Sequence, residues 1–411
     1  MNDYRRIWTG NASSNLADGI TFVALPLLAA TLTGDPVQIA ALSVFYTVPR
    51  LLSVLGIGVL IDRVDRRLLL YLASFSRGLL FAALTVLVFT DTVSMVALYL
   101  VYAFMGIVET LADSAAVAIL PQAVEPTGLD RANSQIAGTQ VVVDEFVGPP
   151  LGGFLFGLAA FAPSLLTTVA FIAAGIAYVG LRGSYALPAA TEASPRPRFT
   201  RQISDGARWA WQHVLVRTLI VVGGLASIGY MIPFSYLVLY ADEVLGLGPT
   251  GYGLLLSGSA VGGLVGSLVA APLRRRFGYC WTVVGALGVG AVSFAVIAMT
   301  DKLWVVGVAL ATYIAHSVVW NVMAASVRQK VTPTDMMGRV GSVGRLVGIG
   351  GLAAGAGLGG VLARHIGYQA PFAVAAGFFL LCIVVVLLAR GEFRTFEAAD
   401  DQTEQAERVE S

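Results

Sequence analysis

Gly58-Val-Leu-Ile-Asp62-Arg63-Val-Asp65-Arg66-Arg67 is a charged hinge between two apolar runs, one starting near Val37 and the other near Leu69. A helix that crosses a bilayer needs about 20 apolar residues, and each run is long enough. The rest of the chain repeats the arrangement. Runs bounded by charges, Pro and Gly start near Ala12, Val37, Leu69, Ser94, Asn133 and Pro163, then near Arg217, Gly251, Cys280, Leu303, Ser342 and Pro371. Composition agrees, with 57% hydrophobic and 12% charged residues and a mean hydropathy of +0.78. A soluble domain carries roughly twice that share of charge, about 25%. The expectation is an all-α membrane protein of twelve transmembrane helices in two six-helix bundles.

Several function classes drop out at this point. A net charge of +1 offers no basic footprint for nucleic acid. No Gly-x-x-x-x-Gly-Lys loop is present, so ATP drive is not expected. Cys280 and Cys382 both sit in apolar runs, which predicts neither a disulfide nor a metal site. No cofactor and no enzymatic activity are expected. The apolar run after Arg5 and Arg6 continues to about Leu32, too long for a cleavable signal peptide.

Loop charges set the orientation. With the N-terminus inside, one set of loops holds Arg63, Arg66, Arg67, Arg131, Arg182, Arg196, Arg198, Arg201, Arg208, Arg274, Arg275, Arg276, Arg328, Lys330 and Arg339. The opposite set holds Lys302 and Arg364. Positive charge stays inside, so both termini are expected in the cytoplasm and the protein in the cell inner membrane. The predicted organisation is a first bundle over 1–182, a cytoplasmic linker over 183–213, a second bundle over 214–390 and a disordered acidic tail over 391–411. Within the linker, Ile203, Ala207, Ala210 and Trp211 recur at helical spacing, which reads as a surface amphipathic helix or an ordinary connector. Gly262-Gly263-Leu-Val-Gly266 and Gly351-Leu-Ala-Ala-Gly355-Ala-Gly357 would let helix backbones approach closely.

Asp18, Arg50, Arg77, Glu109, Asp113, Asp144 and Glu145 lie inside the apolar runs of the first half. Placing a charge in lipid costs at least ~2.5–3.5 kcal/mol, so such residues face a water-filled path or each other. Glu109 and Asp113 are one helical turn apart and share a face. Asp144 and Glu145 point about 100° apart, so at most one aims into a cavity. Pairing Arg50 or Arg77 with these acids is the least costly way to keep them in the membrane. The acids are candidates for proton coupling, with purely structural ion pairing as the alternative. His316, Trp320 and Asn321 fall on one run at helical spacing, where they could line a cavity, or His316 could bond a neighbouring helix.

Six spans, a long middle loop and six more spans resemble the layout of the major facilitator superfamily. The hinge from Gly58 to Arg67 resembles that superfamily's signature Gly-x-x-x-Asp-Arg-x-Gly-Arg-Arg, with Asp65 in place of the second Gly. Gly266 to Gly278 echoes it in the second half without the Asp. Gly148-Pro149-Pro150-Leu151-Gly152-Gly153 looks like the Gly-Pro-x-x-Gly-Gly motif of the superfamily's antiporters. Asp113 to Asn133, Gly206 to Leu219 and Arg328 to Arg345 are similar to the drug:proton antiporter branch, with its macrolide-efflux and enterobactin-exporting members. The resemblance implies a major facilitator fold and secondary active efflux of amphipathic compounds by proton antiport. It also implies a latch in which Gly58, Asp62, Arg63, Arg66 and Arg67 engage the start of span eleven near Arg345. Partners would be a small amphipathic substrate, protons and membrane lipid, with no nucleic acid, and the protein would be a monomer. A dedicated exporter of one siderophore or secondary metabolite, or a nutrient importer, are the rival readings.

Overall fold

A computed structural model describes residues 3–182, 185 and 199–410, and the side chains among them other than those at 54–55, 58–59, 62–63, 126, 199–203, 401 and 403–410. The described chain is helical throughout, without strands. In order come α1 (Asp3–Leu32), α2 (Pro36–Arg63), α3 (Arg66–Phe89), α4 (Met95–Ala123), α5 (Leu129–Gln140), a π-helical turn (Val141–Val147), α6 (Gly148–Leu158) and α7 (Ala162–Val179). Then follow α8 (Phe199–Gln212), α9 (Val214–Phe234), α10 (Leu237–Glu243), α11 (Pro249–Ala298), α12 (Leu303–Val331), α13 (Met337–Ile366), α14 (Ala370–Leu388) and α15 (Arg390–Glu410). Among the described residues ten helical stretches are long and apolar enough to cross a membrane. That set leaves out α2 and takes the 50-residue α11 as one, although Gly278 at φ 73° breaks it into two arms.

Short polar residues start α2, α3 and α4. Asp35 accepts from the Val37 N–H at 3.0 Å with Pro36 opening α2, and Ser94 accepts from the Ala97 N–H at the head of α4. Asp65, where the signature loop usually has Gly, sits at φ −57°, a conformation any residue adopts. Its carboxylate caps α3 through the Arg67 N–H at 2.9 Å and also accepts from the Tyr185 N–H at 3.3 Å. The substitution therefore gives the turn an anchor instead of loosening it.

The helices gather into two compact units, one of Met1–Pro195 with Tyr236–Gly258 and the other of Arg196–Ser235 with Ser259–Ser411. A single cut in the linker would have placed 236–258 with the second unit. Backbone contacts explain the difference: a Cβ on Gly153 would strike the Pro249 carbonyl, and one on Gly253 would strike that of Pro149. In the second unit α13 lies on α9, where Gly351, Gly355 and Gly359 meet the carbonyls of Gly224, Ile228 and Ile232. Gly262 and Gly266 meet Ala311 and Ala315 in the same way, whereas Gly357 faces open space. Large apolar side chains point outward on both units, such as Leu79, Val117, Leu268 and Leu388. Water would penalise that surface and lipid tails would not.

At the ends of the bundles one open alternative closes and one expectation changes. The amphipathic segment is a helix, α8, docked on α13 by Gly206 and the buried Ala210 with Trp211 left exposed; residues 186–198 of the linker lie outside the described residues. The acidic tail expected to be disordered is instead α15. Phe393 is fully buried, Phe396 packs edge-on to Tyr279 at 5.3 Å, and Glu397 accepts from the Cys280 N–H at 2.9 Å. Asp400 binds Lys330 at 2.6 Å. An amphipathic face, hidden in an acidic average composition, supplies the docking energy.

Candidate functional site

Five of the seven intramembrane charges of the first unit form two separate ion-pair clusters. Arg77 on α3 reaches Asp18 on α1, Nη1 to Oδ1 at 3.5 Å, and donates from Nη2 to Ser14 Oγ at 2.9 Å. Its guanidinium carbon stands 4.3 Å from the centre of the Phe171 ring. Side-chain exposure is 3% for Arg77 and 24% for Asp18, so the acid is the member of the pair that opens to solvent. The Arg77 Nε has no hydrogen-bond partner, which makes this guanidinium dependent on the contacts it has.

The second cluster ties α2 to α4. Tyr46 OH donates to Glu109 Oε1 at 2.6 Å and accepts from Arg50 Nη1 at 2.8 Å. Arg50 lies 3.5 Å from Glu109 and 3.8 Å from Asp113. Gly106 brings the two helices together, because a Cβ there would strike the Tyr46 carbonyl. One guanidinium thus serves two carboxylates on one helical face, and Asp113, with 63% of its side chain exposed, is the looser of them. The expectation that Arg50 and Arg77 take up the acids holds in both clusters. Tyr46 and Ser14 were not singled out in the sequence. Tyr46 had a signal, since it stands one helical turn before Arg50 on the same face.

Asp144 and Glu145 belong to neither cluster. Both lie on the π-helical turn, and among the described residues neither has an ion-pair or hydrogen-bond partner, so the expected pairing of one of them with an arginine does not occur. The turn arises from the sequence that follows it. Pro149 and Pro150 have no N–H to give back to the carbonyls of residues 145 and 146. The Gly148 N–H bonds the Val143 carbonyl five residues back, and the Phe146 carbonyl takes a hydrogen bond from Ser257 Oγ at 3.0 Å instead. Such turns are short, poorly satisfied and over-represented at working sites. Glycines hold α1 directly against it. A Cβ on Gly19 would come 2.5 Å from the Asp144 carbonyl, one on Gly148 2.6 Å from the Gly19 Cα, and one on Gly152 2.6 Å from the Ile20 carbonyl. Asp18, next to Gly19, is thereby fixed beside the turn that bears Asp144.

The remaining candidates separate. The side chains of Gly58, Asp62 and Arg63 lie outside the described ones. Arg66 is buried, and Arg67 Nη2 donates to the Val179 carbonyl at 2.5 Å, so these two are bound into the first unit. Arg345 is exposed on α13. His316 is buried, with Nδ1 bonded to the Tyr313 carbonyl of its own helix and its ring 5.2 Å from that of Phe379. Trp320 is buried as well, whereas Asn321 is exposed and donates to the Ser317 carbonyl at 2.9 Å.

Acids and arginines placed in lipid-length helices, with a broken span at their centre, are the parts of a membrane transporter. The profile of a family described as transmembrane secretion effectors matches residues 1–410. The chain belongs to that family. This transmembrane secretion effector is 27% identical over 398 residues to the multidrug efflux pump Tap of Mycolicibacterium fortuitum, covering 92% of this chain and 93% of that one. It is likewise 27% identical over 406 residues to the enterobactin exporter EntS of Escherichia coli, covering 97% and 94%. Its fold is similar to that of a bacterial homologue of the iron transporter ferroportin in an inward-facing state, with TM-score 0.74, 18% identity and coverage of 94% and 98%. The nucleoside transporter NupG is similar too, with TM-score 0.75, 11% identity and coverage of 94% and 99%. The protein is thus a multi-span efflux-type transporter of the major facilitator superfamily, and not an enzyme.

Proposed function

We propose that the protein is a secondary active exporter that moves amphipathic small molecules out of the cytoplasm by proton antiport, with alternating access between two bundles. In this reading α2 and each arm of α11 are spans, which brings the total to twelve, six to a bundle, with both termini cytoplasmic and a monomer as the working unit. The loop charges favour that orientation, and the names of both relatives favour export.

One observation carries the reading: among the described residues Asp144 and Glu145 have no counter-cation, in a unit that gives every other intramembrane acid an arginine. Asp18, Glu109 and Asp113 each have a guanidinium within 3.8 Å. A carboxyl without one is costly to keep charged away from water, so its protonation depends on which side the site faces. Open to the outside, Asp144 or Glu145 takes a proton; open to the cytoplasm it releases it and the substrate site reloads. The π turn supplies a backbone that can shift, since its hydrogen bonds are already off the helical register. Asp62 would latch the outward-open state on the start of α13 near Gly338 and Arg345, as a carboxylate favoured at a helix N-terminus. With few polar groups in the second unit, the cavity suits a bulky, largely apolar cargo better than a sugar; of its three candidates, Asn321 remains accessible while His316 and Trp320 act in packing. An exporter dedicated to one siderophore or secondary metabolite is the second reading, favoured by equal identity to EntS and Tap.

The test uses everted membrane vesicles energised by respiration, with ethidium and 1-anilinonaphthalene-8-sulfonate as amphipathic probes of opposite charge, and a siderophore panel beside them. Probe accumulation that collapses with a protonophore and in an Asp144→Asn, Glu145→Gln double variant supports the proposal. Unchanged accumulation in that variant would overturn the assignment of the carboxyls, and movement only in the inward direction of the cell would favour an importer.

A further inference from the structure

The first unit holds a groove that the charge clusters do not use. It lies between the opening turns of α1 and residues 134–142, with a volume of about 660 Å³. That is the size of a pocket for one small molecule, ~300–1,000 Å³. Tyr4 and Trp8 form its aromatic wall. Tyr4 OH donates to Gln135 Oε1 at 2.6 Å, and Trp8 Nε1 donates to Thr139 Oγ1 at 2.9 Å. These bonds satisfy the polar tips, pin both rings to α5 and leave their faces available; Trp8 keeps 37% exposure. A ligand that stacks there need not order the rings itself, which lowers the entropic cost of binding.

Among the described residues, charge in the groove has one sign. Arg5 lines it, is exposed, and has no ion-pair partner among the described residues. The nearby Asp3 is occupied, accepting from Arg6 at 3.1 Å, from the Arg182 N–H at 3.1 Å and from Tyr185 OH at 2.9 Å. Among the described residues no acid lines the groove. Gly138 leaves its floor open, with nothing within 4 Å of the place a Cβ would occupy. Two fixed ring faces and an uncompensated guanidinium suit an anionic group carried on an aromatic body.

We propose that this groove is a loading site for small aromatic anions on the cytoplasmic side of the exporter, apart from the intramembrane carboxyls. Its location on that side rests on the export reading; its occupancy requires no transport. Binding is therefore measured on the purified full-length protein in detergent, without any gradient. The probes are anionic 1-anilinonaphthalene-8-sulfonate and neutral N-phenyl-1-naphthylamine. Trp8→Phe keeps an aromatic wall and removes one tryptophan, so the difference from wild type isolates the emission of Trp8. The anion is expected to quench that emission. Arg5→Ala weakens the anion about tenfold, Arg5→Lys recovers most of the loss, and the neutral probe is indifferent to both. Unquenched Trp8 emission at saturating anion, or identical behaviour of the two probes in Arg5→Ala, would overturn the proposal. Loss on Arg5→Ala with full binding by Trp8→Ala also overturns it, in favour of a lipid phosphate held by charge alone. Intact groove binding with no vesicle transport of any probe would sink the export reading and leave the site standing.

Discussion

In the first unit Arg77 and Arg50 lie within the bundle, against Asp18 at 3.5 Å and Glu109 at 3.5 Å, whereas in the second unit the ion pairs collect at helix ends, where Asp400 meets Lys330 at 2.6 Å and Arg274 at 3.8 Å. The middle of the second unit is filled instead by rings, with Tyr313 stacked on Phe294 at 4.2 Å and Phe379 and His316 closing around them. Two halves built on one plan have thus been given different chemistry. Under the proposed antiport it is the charged unit that would change state with a proton, while the aromatic one would move as a body.

The largest effect that could break this contrast is at the Arg77 pair. Asp18→Ala strands a guanidinium that is 97% covered, and Arg77→Ala strands the acid; each is expected to cost about 3 kcal/mol, at the lower end for a broken buried pair because Asp18 retains 24% exposure. Asp18→Asn should cost much less, since its amide oxygen still accepts from Arg77. Thermal unfolding of the detergent-solubilised protein reads all three. If the alanine variants melt with wild type, the pair is solvated and the first unit has no buried charge to distinguish it.

Much of this was legible in the residues because lipid imposes a severe rule: an apolar run of fixed length, with its backbone satisfied internally, can only be a helix. Charges within such runs had to find each other, and Arg50 and Arg77 did. Which acid each would take was not legible, since the choice depends on helix rotation and on Gly106 and Gly19 letting neighbours approach. Among the described residues Asp144 and Glu145 escaped pairing because two prolines downstream wound their segment into a π turn, a register that no apolar periodicity announces. The tail misled for a different reason. Its mean composition is that of a disordered segment, yet Phe393, Phe396, Glu397 and Asp400 fall at helical spacing on one face, a pattern that averaging erases.

A middle-sized effect tests whether the second unit is held by backbone packing alone. Gly355→Ala drives a methyl into the Ile228 carbonyl oxygen and to 3.0 Å from Ile228 Cα and Met231 Cβ, and overpacking of this kind costs roughly 1–3 kcal/mol. His316→Phe should cost less, under about 1.5 kcal/mol, because a ring of similar shape enters an aromatic cluster and gives up only a bond to its own helix. Both variants should leave proton-driven probe movement intact once folded. Loss of transport in His316→Phe with an unchanged melting temperature would give the second unit a chemical role after all and dissolve the asymmetry.

The smallest effect sharpens the contrast at its edge. Asp400 closes a clasp between α15, the end of the first arm of α11 and the last turn of α12, but Lys330 is 38% exposed and its charge is well screened. Asp400→Asn is therefore expected to lower stability by about 1 kcal/mol or less, an amount that shrinks further in high salt. The loss at Arg77 should not respond to salt, because counter-ions cannot reach a guanidinium sealed between α1, α3 and Phe171. Melting each variant at low and at high ionic strength separates the two cases directly. Charge inside the first unit is then structural at any salt concentration, and charge at the margin of the second is an adjustable fastening; equal salt responses from the two would mean that both sit in water and that burial distinguishes nothing.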